Sequence, residues 1–314
     1  GYAQRPSGEW PLPGPDSIQA HFDTIVPAML EARNVPGLEV VITNRDSIVF
    51  AGGYGYARLA DSAKADPART MWRIASISKV VTGTAVMQLV TDGRADLDAD
   101  INTYLKGLQV PQKFGKPITL RHLLTHTAGF DDRYVNKSFR TAEEWPPLEE
   151  FIRQYMPQRL YPPGKVYSYS NVSNALAALV VQDITGQEFA RYCRDEIFLP
   201  LRMARTHFRV QDAWADDVYG AYIEQGGGLE EVPLDYLGDY PAGQLLSTGQ
   251  EFARFMLCHL NGGAYAGQRI LPESATEAMH TPQFTQHPKL NGSVGIAFHL
   301  GEAWSDRFKR YLNQ

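Results

Sequence analysis

The sequence is short of several things, and each shortage removes a class of function. It holds two cysteines in 314 residues, Cys193 and Cys258. They lack the paired spacing of a zinc site and are too few for a disulfide scaffold, so each reads as a small buried hydrophobe, with a single disulfide between them as the alternative. No run of lysine and arginine occurs, and the formal net charge is −5 with a pI near 5.9. That balance argues against a nucleic-acid partner. No apolar run reaches the roughly 18 residues a membrane helix needs, so no transmembrane segment is expected in this chain. H-E-x-x-H is missing, and Asn291-Gly292-Ser293-Val294-Gly295 fails G-x-S-x-G at its first position. Gly53 and Gly55 do not complete G-x-G-x-x-G, because Arg58 takes the last place. With Gly52 they read as strand glycines near a bulge. Nothing calls for a cofactor or a metal.

What is there is ordinary for a folded chain: 44% hydrophobic and 21% charged residues. The length allows one large domain or two smaller ones. Residues 1–15, rich in proline and glycine, read as an extended lead-in left after a signal is removed, which gives the expectation of a periplasmic or extracellular location. Asp16 is expected to cap a first helix, with Gln19 completing a capping box. Apolar residues recur at helical spacing through Phe22, Ile25, Val26, Met29 and Leu30, and Asn34-Val35-Pro36-Gly37 stops them. Two β-branched runs then flank Asn44-Arg45-Asp46 and predict a hairpin. From Ile74 to about Leu260 the periodicity is mostly helical. Near the end, residues 291–304 read as one strand. Strands at both ends with helices between imply an α+β chain. Its expected organisation is a discontinuous α/β domain from 16–75 and 245–314, with a mostly helical domain at 76–244.

One stretch, I-A-S-I-S-K-V-V-T-G at 74–83, places two serines and a lysine in apolar company. If a helix starts near Ser76, Ser76 and Lys79 share one face a turn apart, whereas Ser78 projects elsewhere. The helix start favours negative charge developing on Ser76. Ile77, Val80 and Val81 around Lys79 would bury it and lower its pKa toward that of a useful base. Alone, S-x-x-K is weak, because it arises by chance on the order of once in such a chain. Y-S-Y-S-N at 167–171 adds Tyr169 and Asn171, two apart and on one side if the segment is extended. A tyrosine relays protons when a nearby cation lowers its pKa. On its own this segment reads better as an ordinary polar turn.

Together these segments resemble the serine β-lactamase and penicillin-binding-protein superfamily, on its class C β-lactamase and family VIII esterase side. M-W-R-I-A-S-I-S-K, L-R-H-L-L-T-H-T-A-G-F, P-P-G-K-V-Y-S-Y-S-N, I-F-L-P-L-R-M-A-R-T-H-F, A-G-Q-L-L-S-T-G-Q-E-F-A-R-F and R-I-L-P-E-S follow that family's order over about residues 38–300. The resemblance implies a β-lactamase/transpeptidase-like fold, an antiparallel sheet flanked by helices. It implies Ser76 as acylated nucleophile, Lys79 as the partner taking its proton, Tyr169 as base or relay, and Asn171 as the amide that holds the lysine and contacts substrate. The Ser76 backbone N–H would be one oxyanion donor. The family's third motif is K-T-G or H-x-G. His299-Leu300-Gly301 matches literally but reads as a decoy, since it falls within the strand that precedes the motif strand. The third motif is therefore expected after Gln314, and the sheet is expected to be incomplete at the C-terminus.

His122 and His126 are expected in core or capping roles. Loops 130–145 and 212–240 carry Tyr134, Tyr219, Tyr222, Tyr236 and Tyr240, most of them expected to fill hydrophobic contacts. The expected function is a serine hydrolase acting through an acyl-enzyme on a small-molecule ester, amide or peptide, as a carboxylesterase or D-amino-acid peptidase-like enzyme. The alternatives are a β-lactamase or D-alanyl-D-alanine carboxypeptidase, and a non-catalytic or slowly acylated receptor on the same fold.

Overall fold

A computed structural model describes residues 14–132, 137–209, 216–287 and 293–300. Most of the lead-in, Tyr134, Gly301 and the segment to Gln314 lie outside them.

The first helix, α1 (Pro15–Arg33), begins one residue earlier than expected. Gly14 occupies the cap without a side-chain bond, and Pro15 takes the first helical position, where its missing N–H costs nothing. Asp16 lies in the first turn, and Gln19 donates to Asp23 at 2.6 Å instead of closing a capping box. Asn34, with φ 50°, ends the helix in the left-handed region. The hairpin forms as expected from β1 (Gly37–Thr43) and β2 (Ile48–Arg58). The Asn44 side chain holds its turn by accepting from the N–H groups of Asp46 and Ser47. A third strand, β3 (Ala63–Lys64), pairs with β2. A Cβ on Gly53 would sit 2.0 Å from the Ala65 carbonyl oxygen, so the glycine permits close strand approach.

Next come β4 (Trp72–Arg73) and α2 (Ser78–Thr91), followed by α3 (Leu120–Leu124), β5 (Ser138–Phe139), α4 (Leu148–Tyr155), α5 (Asn171–Thr185) and α6 (Phe189–Cys193). The chain continues through the hairpin β6 (Ala221–Gln225) and β7 (Gly228–Val232), then β8 (Tyr236–Leu237), β9 (Leu246–Ser247) and α7 (Gly249–Leu260). It closes with β10 (Ala264–Tyr265), β11 (Gln268–Arg269), α8 (Glu273–Met279), β12 (Ser293–Val294) and β13 (His299–Leu300). Helices α2 and α5 are apolar almost all round and buried along most of their length. They pack on each other at the centre of one continuous hydrophobic cluster, while α1 and α7 pack against the sheet. Gly83 in α2 serves that packing, because a Cβ there would lie 2.4 Å from the Ala297 side chain.

The architecture is α+β. Among the described residues, the three-stranded sheet comes from the N-terminal part of the chain, and α7 is what the later part packs on it. The single strand expected at 291–304 is two short strands in their described part. Ala297, with φ 62°, turns the chain back between β12 and β13. Any further strand after Leu300 lies outside the described residues.

Two small strand pairs set up the site. β4 pairs with β9, which ties the segment leading into Ser76 to residues 246–247. β5 pairs with β8, which ties the 137–139 segment to residues 236–237. Cys193 and Cys258 are free buried thiols. Tyr240 is buried in the core, Tyr219 stacks on Trp72, and Tyr236 packs on Trp145, so these aromatics fill hydrophobic contacts. Tyr222 instead accepts the Leu59 N–H at its hydroxyl.

Candidate active site

Ser76 lies on a single 3-10 turn, Ala75–Ile77, that runs into α2. Ala75 before it has φ 45°, a left-handed conformation costing an L-residue about 1–2 kcal/mol. Strain of this kind persists where the surroundings hold it, and here Ile74 N–H binds the Leu245 carbonyl at 2.9 Å. The Ser78 hydroxyl donates to the Ala75 carbonyl at 2.6 Å and accepts the Leu245 N–H at 3.1 Å. Ser78 is therefore a buried brace for the turn, and Ser76 is the exposed hydroxyl.

Lys79 points back along α2 beneath Ser76. Its Nζ lies 3.0 Å from Ser76 Oγ and donates to the Ala242 carbonyl at 2.8 Å. The Thr82 hydroxyl donates to the adjacent Pro241 carbonyl at 3.0 Å, so α2 grips the 3-10 turn Tyr240–Ala242 at two points. Burial lowers the Lys79 ammonium to about 8, against an opposing pull from Asp239 and Asp132 and with a smaller push from Lys137. The apolar residues expected around it contribute unequally: Val81 is buried, while Ile77 is 49% exposed.

Tyr169 reaches the same oxygen from the other side, its hydroxyl donating to Ser76 Oγ at 2.7 Å. Lys79 Nζ sits 4.8 Å from the Tyr169 ring centre, a cation–π distance. Burial nevertheless raises the Tyr169 phenol, and the hydrogen bond to Ser76 opposes this. Tyr169 is thus a neutral donor, contrary to the expectation that the cation would lower it. The extended pair expected at 169–171 is a helix start. Ser170 caps α5, accepting the Ser173 N–H, and Asn171 is the first residue of the helix. The Asn171 amide donates to Asp132 at 3.2 Å, so its link to Lys79 passes through a carboxylate.

The structure therefore gathers Ser76, Lys79 and Tyr169 around one oxygen and places Asn171 one group further back. It also adds residues that spacing did not reveal. Lys137 bridges Asp132 at 3.4 Å and Asp239 at 3.2 Å. His126 stacks on Tyr169 with ring centres 4.5 Å apart and accepts the Ser170 N–H at 3.2 Å. Burial pushes its pKa down to about 3, so it is a neutral wall. His122 caps α3 together with Thr119, as expected. His299, read from sequence as a decoy, stands beside the two tyrosines: its ring accepts or donates with the Tyr167 hydroxyl at 2.9 Å, and its centre is 6.3 Å from that of Tyr169. Gly301, the end of that literal motif, lies outside the described residues. No group of three or more histidine, cysteine, aspartate or glutamate side chains suited to a metal occurs among the described residues.

Comparison with known proteins gives this geometry a family. Penicillin-binding protein 4 of Amycolatopsis lactamdurans is 27% identical over 268 residues, covering 83% of this chain and 69% of that protein. Protein flp of Staphylococcus aureus (strain MRSA252) is 26% identical over 252 residues, 77% of this chain and 49% of that protein, so the chain spans about half of that relative's length. In fold, the chain is similar to an octameric penicillin-binding protein homologue from Pyrococcus abyssi, with a TM-score of 0.77 at 23% identity over 90% of this chain and 64% of that one. It is also similar to EstCE1, described as a hydrolase with promiscuous acyltransferase activity, with a TM-score of 0.75 at 18% identity over 93% of this chain and 85% of that one. The beta-lactamase family model matches residues 22–309, and the chain belongs to the beta-lactamase family, whose members are typically serine hydrolases.

Proposed function

We propose that the chain is a serine hydrolase acting through an acyl-enzyme on an ester or amide, of the carboxylesterase or D-amino-acid peptidase-like kind. The observation that carries this reading is the exposed Ser76 hydroxyl, 3.0 Å from the buried Lys79 nitrogen and 2.7 Å from the Tyr169 hydroxyl. Lys79, lowered to about 8, has an unprotonated fraction near neutral pH, as a general base requires. It takes the Ser76 proton as Oγ bonds to the acyl carbon. Tyr169 gives its proton to the leaving oxygen or nitrogen as that bond breaks, and Lys79 returns a proton to the phenol. Water then repeats the sequence, with Oγ as the leaving group. The Ser76 N–H stabilises the oxyanion.

Loss of fluorophosphonate labelling in Ser76→Ala tests the nucleophile, and labelling that persists in that variant overturns it. A β-lactamase or D-alanyl-D-alanine carboxypeptidase is the second reading, favoured by the penicillin-binding relative. A chromogenic ester assayed beside a chromogenic cephalosporin separates the two by kcat/KM. Stoichiometric acylation without turnover of either would point to a receptor. A periplasmic or extracellular location belongs to the same proposal, and fractionation of the producing cells tests it.

A further inference from the structure

One residue, His126, holds the chain on both sides of Tyr169. Its backbone carbonyl accepts the Ser168 N–H at 2.8 Å, and its ring Nδ1 accepts the Ser170 N–H at 3.2 Å. Between those two bonds the His126 ring lies against the Tyr169 ring, with centres 4.5 Å and planes 32° apart. The hydroxyl on that tyrosine ring reaches Ser76 Oγ at 2.7 Å. Three contacts from a single side chain and its own carbonyl therefore converge on the group that meets the proposed nucleophile.

The fold fixes His126 itself. It stands two residues after the end of α3, with φ 56°, a left-handed conformation in which histidine is one of the few enriched side chains. Threonines brace it on either side. The Thr125 hydroxyl donates to the Arg121 carbonyl at 2.8 Å and lies 2.9 Å from the Thr127 hydroxyl. The Thr127 N–H returns to the His122 carbonyl at 2.9 Å, and the Thr127 carbonyl accepts the Gly164 N–H at 2.8 Å. Burial lowers the His126 ring to about 3, so it is neutral. A neutral ring that accepts at Nδ1 carries its proton on Nε2, and the bond to Ser170 persists well below neutral pH. Ser170 is fully buried, where an N–H left without an acceptor is costly.

We propose that His126 is a positioning residue of the reaction, which fixes the Tyr169 hydroxyl where it hands its proton to the leaving oxygen of an ester. The inference rests on the acyl-enzyme reading above. In the step it supports, the bond between the acyl carbon and the leaving oxygen breaks. The Tyr169 O–H bond breaks with it, and the proton passes to that oxygen. Lys79 then returns a proton to the phenolate. His126 exchanges no proton in this step and acts only through Tyr169.

The test is the leaving-group dependence of kcat/KM, measured on the full chain with ethyl butyrate and p-nitrophenyl butyrate. Both esters give the same acyl-enzyme, and kcat/KM reports the loss of transition-state stabilisation in forming it. Ethoxide needs a proton to leave, whereas p-nitrophenoxide leaves as the anion, so a misplaced Tyr169 hydroxyl penalises the ethyl ester. His126→Phe keeps an aromatic ring and removes the Nδ1 acceptor. It should lower kcat/KM for ethyl butyrate about tenfold more than for p-nitrophenyl butyrate. His126→Asn keeps an acceptor, suits the left-handed backbone and loses the ring. It should show the same selectivity reduced to about threefold, which keeps the test intact if the first variant fails to fold. In a Tyr169→Phe background neither substitution should change the ratio of the two esters. A merely structural role would lower both esters equally, and an unchanged ratio in the folded variants overturns the proposal. A ratio that shifts as much in the Tyr169→Phe background overturns it too, and so, for ester leaving groups, does turnover of neither ester by the unaltered protein while Ser76 is still labelled. The two levels fail separately. Fluorophosphonate labelling that survives Ser76→Ala sinks the acyl-enzyme reading, whereas labelling lost in Ser76→Ala with equal losses on both esters sinks the role of His126 alone.

Discussion

Of the buried polar groups on helix α2, Lys79 and Thr84 lie five residues apart and behave as opposites. At Lys79, ionisable groups from separate segments converge, and the hydroxyl of Ser76, the proposed nucleophile, opens to solvent. At Thr84, the hydroxyl lies 3.1 Å from His259 Nε2, and His259 Nδ1 lies 3.2 Å from His280 Nε2. Phe255 and Phe298 close that chain off with ring centres 4.6 and 5.3 Å from His259. Burial is similar at both places. What differs is charge and access. A closed, neutral hydrogen-bond chain fixes helix to helix and rigidifies the core. A charged cluster beneath an open hydroxyl has two protonation states to exchange.

The largest test of that difference is a pair of variants. Lys79→Ala should cut Ser76 acylation by about 1,000-fold or more. Thr84→Val should leave acylation within about twofold and instead cost roughly 1 kcal/mol of stability. Fluorophosphonate labelling rates and denaturant midpoints check both. A fall in labelling for Thr84→Val equal to that for Lys79→Ala would erase the distinction. Next, Tyr169→Phe should slow acylation by about 100-fold with an unchanged thermal midpoint, because the ring still packs on His126 and only the donor is lost.

A smaller effect belongs to the closed chain at Thr84. Burial, and then the neighbouring His280, push His259 down to about 3. The unfolded chain therefore binds more protons than the folded one, and this contribution is lost as pH falls from about 6.5 toward 3. His259→Gln should reduce the loss of stability between pH 7 and pH 5, by on the order of 1–2 kcal/mol. Some acid sensitivity should remain, since His126 and His207 are lowered by burial as well. Urea midpoints at the two pH values measure this, and an unchanged difference contradicts it. The smallest effect is at the turn before Ser76. Ala75→Gly should raise stability by about 0.5 kcal/mol, read as a small rise in thermal midpoint.

The same contrast explains what was legible in the sequence. Ser76 and Lys79 are three residues apart on one turn, so local spacing could pair them. Tyr169 and Asn171 were a weak candidate pair from their own spacing, and the resemblance of their surroundings gave them roles. Asp132, Lys137 and Asp239 gave no signal, because they lie in three segments that β5 and β8 bring together, and charged loop residues ordinarily read as solvated. His126 was legible as a core histidine, but its stacking on Tyr169 is a purely tertiary fact. Hydrophobic periodicity predicted most helices, and the turn chemistry of Asn44 predicted the hairpin. Ends were harder to place. Pro15 took over the start expected of Asp16, and left-handed Ala297 broke one expected strand into two.

The grip of α2 on the Tyr240–Ala242 turn has a consequence for timing. A free lysine side chain carries about 2 kcal/mol of rotamer entropy. In this protein the Ala242 carbonyl, the Tyr169 ring and Ser76 Oγ hold Nζ from three directions. The chain therefore gives up that freedom once, when it folds, and not at each encounter with substrate. Under the proposed mechanism the amine is already in place beside Ser76 Oγ before substrate arrives, and the Thr82–Pro241 bond braces the turn that holds it.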